Sequence, residues 1–135
     1  MFRELEDGVA VSPQITAEDV QAAASLGYGT IVCNRPDGEE AGQPSADEIE
    51  AAAQAAGVSF LALPFAGGGP SPSQVEGMSA ALDAPGKVLA YCRSGMRSAT
   101  LWALARARQG RDADALIGAA KAAGYDIEAL RARLG

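Results

Sequence analysis

The sequence contains no histidine among its 135 residues. Without an imidazole, the chain cannot use the arrangement in which a histidine base activates a serine or cysteine nucleophile. Zinc and non-haem iron sites that depend on histidine ligands are excluded as well. A reactive thiol would therefore have to be held as a thiolate by backbone amides, a helix start or arginine side chains.

Cysteine is scarce, since only Cys33 and Cys92 are present and they lie far apart in the sequence. Two such residues do not make a disulfide framework, and alone they make a poor metal site. We therefore expect neither a metal nor an organic cofactor. A cytoplasmic location is predicted, because a reducing compartment keeps a reactive thiol usable.

Positive charge and long apolar runs are also lacking. The formal net charge is −6, which disfavours non-specific nucleic-acid binding. No stretch is apolar enough to span a bilayer, and residues 1–7 carry acids where a signal peptide needs an apolar run. The expected partner is a small anionic substrate, drawn by a local positive site because the global charge repels it. The sequence leaves the oligomeric state open.

What the sequence does contain is a globular composition, with 48% hydrophobic and 21% charged residues, and alternating strand and helix patterns. We interpret residues 1–135 as one domain. Strands are predicted at 8–12, 30–34, 58–64 and 87–92. Helices are predicted at 16–26, 45–57, 71–82, 98–108, 112–123 and 126–134.

This alternation predicts a three-layer α/β fold, with a mainly parallel sheet of four to five strands and helices on both faces. The strand at 58–64 is interpreted as an inner strand. Ligands of such sheets bind beyond the carboxyl ends of the strands. The loops at 34–44, 64–70 and 92–98 are therefore expected to converge on one site.

The most informative stretch runs from Ala90 to Ala99, where a strand, a short loop and a helix start follow one another. Such a loop points backbone N–H groups at one spot, which favours an oxyanion and a thiolate. Cys92 is the predicted nucleophile and Arg97 the bidentate anion clamp. A plainer reading makes Cys92 an apolar strand end and Arg97 a surface residue, but it explains neither Arg93 nor Gly95.

The remaining loop residues have predicted supporting roles. Arg93 is either a second positive charge at the mouth of the site or a solvent-exposed side chain. Ser98 could donate a hydrogen bond to the thiolate or cap the next helix. Cys33 is either a resolving partner for oxidised Cys92 or a small buried apolar residue. The predicted anion-binding residues are Arg93, Ser94, Gly95, Met96, Arg97 and Ser98.

Four segments resemble a known group: residues 11–14 (VSPQ), 34–40 (NRPDGEE), 43–45 (QPS) and 91–99 (YCRSGMRSA). Together they resemble the protein tyrosine and dual-specificity phosphatase superfamily. More closely, they resemble the small bacterial phosphatase-like domain that also occurs fused to metallo-β-lactamase-type hydrolases (DUF442). The resemblance covers nearly all of the chain, and it implies a phosphatase-like fold with a cysteine-based anion loop.

One departure from the superfamily points to a different reaction. The superfamily loop has five residues between cysteine and arginine, whereas only four separate Cys92 from Arg97. A loop of this length is similar to the active loop of rhodanese-type sulfurtransferases. A tighter loop suits a single sulfur better than a tetrahedral phosphoryl group.

The two reactions differ in their need for an acid. Phosphate-ester hydrolysis needs a proton donor for the leaving oxygen. The resemblance places this donor on the loop at 64–73, which has no acid, so Asp37 or Glu39 would have to substitute. A plainer reading makes these acids part of a solvated turn. Sulfur transfer needs little protonation.

Loop length and the missing acid thus favour a sulfurtransferase that works through a Cys92 persulfide. The alternative is a phosphatase that forms a phosphocysteine at Cys92, with Asp37 as the candidate acid. A second alternative is a non-catalytic module that only binds an anion.

Overall fold

The computed structural model describes all residues 1–135 and contains a five-stranded sheet between two helical layers. The strands are β1 (Arg3–Glu6), β2 (Val9–Ser12), β3 (Tyr28–Cys33), β4 (Ser59–Ala62) and β5 (Lys87–Tyr91). Their spatial order is β1-β2-β5-β3-β4. Only β1 runs antiparallel to its neighbour. The mainly parallel α/β fold predicted from the sequence is confirmed.

The helices are α1 (Ala17–Ser25), α2 (Ala46–Ala56), α3 (Pro72–Asp83), α4 (Met96–Arg108), α5 (Ala113–Ala122) and α6 (Arg131–Leu134). Three of them begin at reciprocal capping boxes on Thr16, Ser45 and Ser71. In each box the hydroxyl and the side chain three residues later satisfy two N–H groups that lack intrahelical partners. These three starts agree with the sequence prediction.

Side-chain alternation along the strands builds two apolar cores. Ile31 of β3 and Leu89 of β5 pack in the core shared with α1 and α2. Their neighbours Val32 and Ala90 pack in the larger core with α3, α4 and α5. Helix α4 is buried along most of its length, as expected for a helix that covers the centre of the sheet. Its first turn is thereby fixed at the carboxyl end of β5.

The structure corrects the sequence prediction in two strands. Strand β1 was not predicted, because its sequence is RELE and only Leu5 is buried. Strand β4 was interpreted as an inner strand but lies at the sheet edge. Its residues are only half-buried or exposed, which is typical of an edge.

Two predicted helices also differ. Helix α4 begins at Met96 rather than at residue 98, because its N-cap is Gly95 at a φ of 100° and carries no capping side chain. The last predicted helix, 126–134, is divided into a 3₁₀ turn at Glu128–Leu130 and α6. No helix in the chain is both long and apolar enough to cross a bilayer.

The three loops at the carboxyl ends of β3, β4 and β5 meet, as the sequence predicts. Asn34 connects all of them. Its side-chain amide donates to the Leu63 carbonyl at 3.0 Å, and its side-chain oxygen accepts from the Ser98 hydroxyl at 2.8 Å. Its backbone carbonyl accepts from the Phe65 amide at 3.3 Å. This buried asparagine fixes the floor of the site.

Candidate active site

Cys92 is the first residue after β5 and is buried, with 1% of its surface exposed. Its backbone amide donates to the Ser12 carbonyl of β2 at 3.3 Å, which extends the sheet pairing by one residue. Its Sγ accepts a hydrogen bond from the Gly95 amide at 3.1 Å. The chain therefore turns back on itself immediately after the sulfur, with an amide directed at it.

Other amides of the same loop lack protein acceptors. The backbone N–H groups of Arg93, Ser94, Arg97 and Ser98 donate to no protein group. The N–H groups of Arg97 and Ser98 belong to the first turn of α4, where the helix dipole carries partial positive charge. These donors can serve the oxygens of a bound anion.

Arg97 lies in the first turn of α4, and two groups from neighbouring loops hold its guanidinium. Nη1 and Nη2 donate to the two carboxylate oxygens of Glu39 at 2.9 and 2.7 Å. Nη1 also donates to the Phe65 carbonyl at 3.1 Å. An arginine has five N–H donors, so the Nε–H and one Nη2–H remain, and they form the second edge of the planar fork. That edge can bind two oxygens of one anion.

Glu39 is ionised by its surroundings. The hydrogen bonds from Arg97, supported by those from Arg35, lower its pKa to about 2. The same pairing raises the pKa of Arg97. Both carboxylate oxygens of Glu39 accept hydrogen bonds from arginines, so Glu39 is placed as an acceptor for Arg97 and Arg35 rather than as a proton donor.

Arg35 binds Glu39 from within the protein, and only 1% of its side chain is exposed to solvent. Its guanidinium donates to Gln14 at 3.0 Å, to Glu39 at 2.9 Å and to Glu40 at 2.9 Å. Burial acts to lower the pKa of Arg35, but its hydrogen bonds to the two glutamates outweigh burial and raise it. Each of the two carboxylates therefore meets a buried, permanently charged partner.

Five side chains of alternating charge form what we call the arginine–carboxylate network. In order, they are Arg97, Glu39, Arg35, Glu40 and Arg93. Its outer end is loose, because Arg93 is 64% exposed and lies 3.8 Å from Glu40. Its inner end is tight and holds Arg97. The network has three positive and two negative charges, so it leaves the loop locally positive in a chain whose net charge is −6.

We expect the pairing of Glu39 to be visible in the pH dependence of stability. The folded-state pKa is about 2 and the ordinary value is 4.5. The carboxylate therefore contributes stability that is fully present above pH 4.5 and is lost as the pH falls towards 2. Urea unfolding of the wild type and Glu39→Gln should give a constant difference in unfolding free energy above pH 4.5, which narrows below it. A difference that does not change with pH would contradict this assignment.

The other predicted site residues have mixed surroundings. Asp37 is exposed, and its Oδ1 accepts from the Ala46 amide at the start of α2 at 2.8 Å. The Ser98 hydroxyl donates to Asn34 rather than to the thiol, and Ser98 lies inside α4 rather than at its cap. Met96 begins α4, and its amide donates to the Ser94 hydroxyl at 3.3 Å.

Cys33 ends β3 and is buried beside Tyr91. Its thiol donates to the Arg35 carbonyl at 3.4 Å. Burial raises the pKa of Cys33, which disfavours its thiolate near neutral pH. These surroundings favour the interpretation of Cys33 as a small buried apolar residue. A role for Cys33 as the resolving partner of oxidised Cys92 stays a prediction. No three carboxylate or thiol side chains are grouped as metal ligands would be.

Tyr125 is a residue of the site that no sequence pattern indicates. The Tyr125 hydroxyl donates to the Ser94 carbonyl at 2.9 Å, in the middle of the loop. Tyr125 follows α5 and is distant from the loop in sequence, so no local pattern signals the contact. The glycine at position 95 was the only available hint that something packs closely there.

Comparison with known proteins places the chain in a family. A family model described as "Beta-lactamase hydrolase-like protein, phosphatase-like domain" matches residues 1–109. The chain belongs to this phosphatase-like family. The match includes β1 to β5, α4 and the loop from Cys92 to Arg97. Residues 110–135, with Tyr125, lie outside it.

Curated relatives agree with this assignment. The chain is 33% identical over 109 residues to a beta-lactamase hydrolase-like protein of Xylella fastidiosa, and 31% identical over 108 residues to one of Agrobacterium fabrum. These matches cover 80% and 79% of this chain but 25% of each relative. The phosphatase-like chain thus spans about a quarter of the length of the curated relatives that it matches.

Solved structures extend the likeness beyond residue 109. A candidate phosphatase of Neisseria meningitidis is 38% identical, with a TM-score of 0.84 and coverage of 98% of this chain and 95% of that one. Kinase-associated phosphatase shares the fold at 15% identity, with a TM-score of 0.74 and coverage of 96% and 87%. The phosphatase fold predicted by the resemblance is confirmed.

Proposed function

We propose that the protein is a cysteine-dependent phosphatase for a small phosphate monoester. The Cys92 thiolate attacks phosphorus, so an S–P bond forms while the P–O bond to the alcohol breaks. The leaving oxygen takes a proton, and water then hydrolyses the phosphocysteine to release phosphate. The observation that carries the proposal is the second edge of the Arg97 fork, to which no protein oxygen is bound, next to Cys92 and to loop amides that donate to no protein group.

Each part of the loop has a role in that reaction. Equatorial oxygens of the phosphoryl group would lie against the loop amides and the remaining Arg97 fork, which stabilise the charge of the transition state. Glu39 and Phe65 hold the fork in place beforehand, so the substrate need not order it. The Gly95 amide stabilises the sulfur both as attacking thiolate and as leaving group.

Family membership favours this reaction over sulfur transfer. The preference for sulfur transfer rested on the four-residue spacing and on the missing acid. The matching family and the Neisseria meningitidis structure are both described as phosphatase-like or phosphatase. None of the relatives described above supports sulfur transfer, so phosphate-ester hydrolysis becomes the main proposal.

Parallel assays test the reaction directly. The wild type, Cys92→Ser and Cys33→Ala would each be given an aryl phosphate and, separately, thiosulfate with cyanide. We expect the wild type and Cys33→Ala to release phosphate and Cys92→Ser to fall to background. Thiocyanate production without phosphate release would establish sulfur transfer instead. Anion binding with neither product would establish a non-catalytic module.

Asp37 is our proposed proton donor. It lies on the same loop as Glu39, and its Oδ2 accepts from no protein donor while Oδ1 holds the Ala46 amide. Asp37→Asn keeps an oxygen for that amide but replaces the ionisable carboxyl group with a neutral amide that cannot act as the acid. We expect kcat for an alkyl phosphate to fall about 100-fold, and kcat for an aryl phosphate with a good leaving group to change little.

A nearby acid supplies the control. Asp47 is exposed in the first turn of α2, and Asp47→Asn should leave both rates unchanged. Equal rates for Asp37→Asn and the wild type on the alkyl phosphate would remove Asp37 from the mechanism.

A further inference from the structure

The Ser94–Gly95 peptide makes two hydrogen bonds in opposite directions. Its carbonyl accepts from the Tyr125 hydroxyl at 2.9 Å, and its N–H donates to Cys92 Sγ at 3.1 Å. In a trans peptide the C=O and N–H point to opposite sides of one rigid plane. The direction of the carbonyl therefore determines the direction of the amide that faces the sulfur.

Another contact has to hold the orientation of this peptide plane, because the glycine backbone at position 95 rotates more freely than that of other residues. Gly95 has a φ of 100° and also accepts, through its own carbonyl, the first intrahelical hydrogen bond of α4, from Ala99. A rotation of the Ser94–Gly95 plane would turn the N–H away from Cys92 and the carbonyl towards it. A carbonyl dipole beside the sulfur would disfavour a thiolate.

Tyr125 lies directly against Gly95. A Cβ added to Gly95 would overlap the Tyr125 hydroxyl and crowd its ring carbon. The ring is 5% exposed, and the Arg3 guanidinium lies 5.4 Å from its centroid. Burial raises the pKa of Tyr125, with Arg3 opposing and Cys92 adding, so the hydroxyl remains a donor near neutral pH.

We propose that Tyr125 is a positioning residue, which holds the Ser94–Gly95 peptide with its N–H directed at Cys92. The chain O–H···O=C–N–H···S also polarises the amide, since a hydrogen bond accepted by a carbonyl strengthens the N–H of the same peptide. The helical segment after residue 109 thus completes the anion loop from outside the region matched by the family model. This inference rests on the proposed role of Cys92 as a thiolate nucleophile.

The test compares Tyr125→Phe with Tyr28→Phe. Tyr28 is a buried tyrosine at the opposite end of the sheet, where its ring contacts Phe2 and Lys87. The rate of Cys92 alkylation by iodoacetamide would be followed from about pH 5 to pH 9, by mass spectrometry of the peptide that carries Cys92. We expect the inflection for Tyr125→Phe to rise by about half a pH unit or more, and that for Tyr28→Phe to coincide with the wild type.

Kinetics provide the second readout. With an aryl phosphate, kcat for Tyr125→Phe should fall about 10-fold, while KM changes less than about two-fold, because the oriented amide matters most when charge moves on the sulfur. A purely structural Tyr125 would lower the midpoint of thermal unfolding but leave the alkylation inflection unchanged, and that result would overturn the proposal. The alkylation result stands whether or not the wild type hydrolyses phosphate, so the two proposals fail separately.

Discussion

Replacing Arg97 with lysine is expected to lower kcat/KM for an aryl phosphate by about a thousand-fold. The native guanidinium donates to the Glu39 carboxylate and to the Phe65 carbonyl, and in the proposed mechanism its remaining edge would bind the substrate. A lysine ammonium keeps the charge but has no planar fork, so it cannot pair bidentately with Glu39 and with a phosphoryl group together. The loss should therefore exceed that expected from charge alone.

The matched control is Arg108→Lys at the other end of the same helix. Arg108 is 49% exposed and pairs with the exposed Glu76 at 3.2 Å. This change should leave kcat/KM within about two-fold of the wild type, since an exposed ion pair contributes little. Steady-state kinetics of both variants decide the matter. A loss of less than about 10-fold in Arg97→Lys would show that the fork is not the anion clamp.

The largest expected effect on stability comes from Glu6, at the end of β1. Its carboxylate accepts from Trp102 at 2.9 Å, from Arg106 at 2.7 Å and from Arg111 at 2.9 Å. Burial acts to raise the pKa of Glu6, but these hydrogen bonds outweigh it and lower the pKa. Glu6→Ala leaves the indole N–H without its acceptor and leaves the half-buried Arg106 with Gln109 alone. We expect the free energy of unfolding to fall by about 3 kcal/mol.

Glu76→Ala provides the comparison for this effect, because Glu76 also pairs with an arginine of α4 but is 65% exposed. Its loss should cost less than about 1 kcal/mol. Urea unfolding at neutral pH gives both values. Equal losses in the two variants would mean that the Glu6 cluster contributes no more than a surface ion pair.

Local sequence signals predicted most of the fold. The sequence indicates helix starts at Thr16, Ser45 and Ser71, because in each case the capping hydroxyl and its partner lie three residues apart in the sequence. The apolar runs of β3 and β5 mark buried strands. Strand β1 was not predicted because its pairing with β2 and the contact of Arg106 with Glu6, rather than an apolar pattern of its own, hold it in the sheet.

The candidate site was predicted in outline and not in its connections. Cys92 was predicted from its position at the end of a strand and Arg97 from its position at the following helix start, and their catalytic roles stay predictions. The partners of Arg97 could not be read in the same way, because Glu39 and Phe65 come from other loops. Tyr125 depends on a contact across 31 residues. Pairings of this kind are set by the packing of helices on the sheet, for which the local sequence carries no signal.

The family favours the phosphatase alternative over the sulfur transfer that the sequence predicts. On loop length alone, four residues between Cys92 and Arg97 favour a single sulfur over a phosphoryl group. In the structure, Glu39 and Phe65 of other loops hold the fork of Arg97, and the spacing from Cys92 to Arg97 does not reveal these contacts. The family to which the chain belongs is phosphatase-like.

The most direct test of the account is to trap the covalent intermediate. The wild type would be mixed with a ³²P-labelled aryl phosphate, denatured with detergent within one turnover and digested, with the pH kept neutral or mildly alkaline because acid hydrolyses the S–P bond. We predict that the label is bound to the peptide that carries Cys92, as a phosphocysteine, and is absent from Cys92→Ser. Phosphate release without labelled Cys92, or a persulfide on Cys92 formed from thiosulfate instead, would contradict the account.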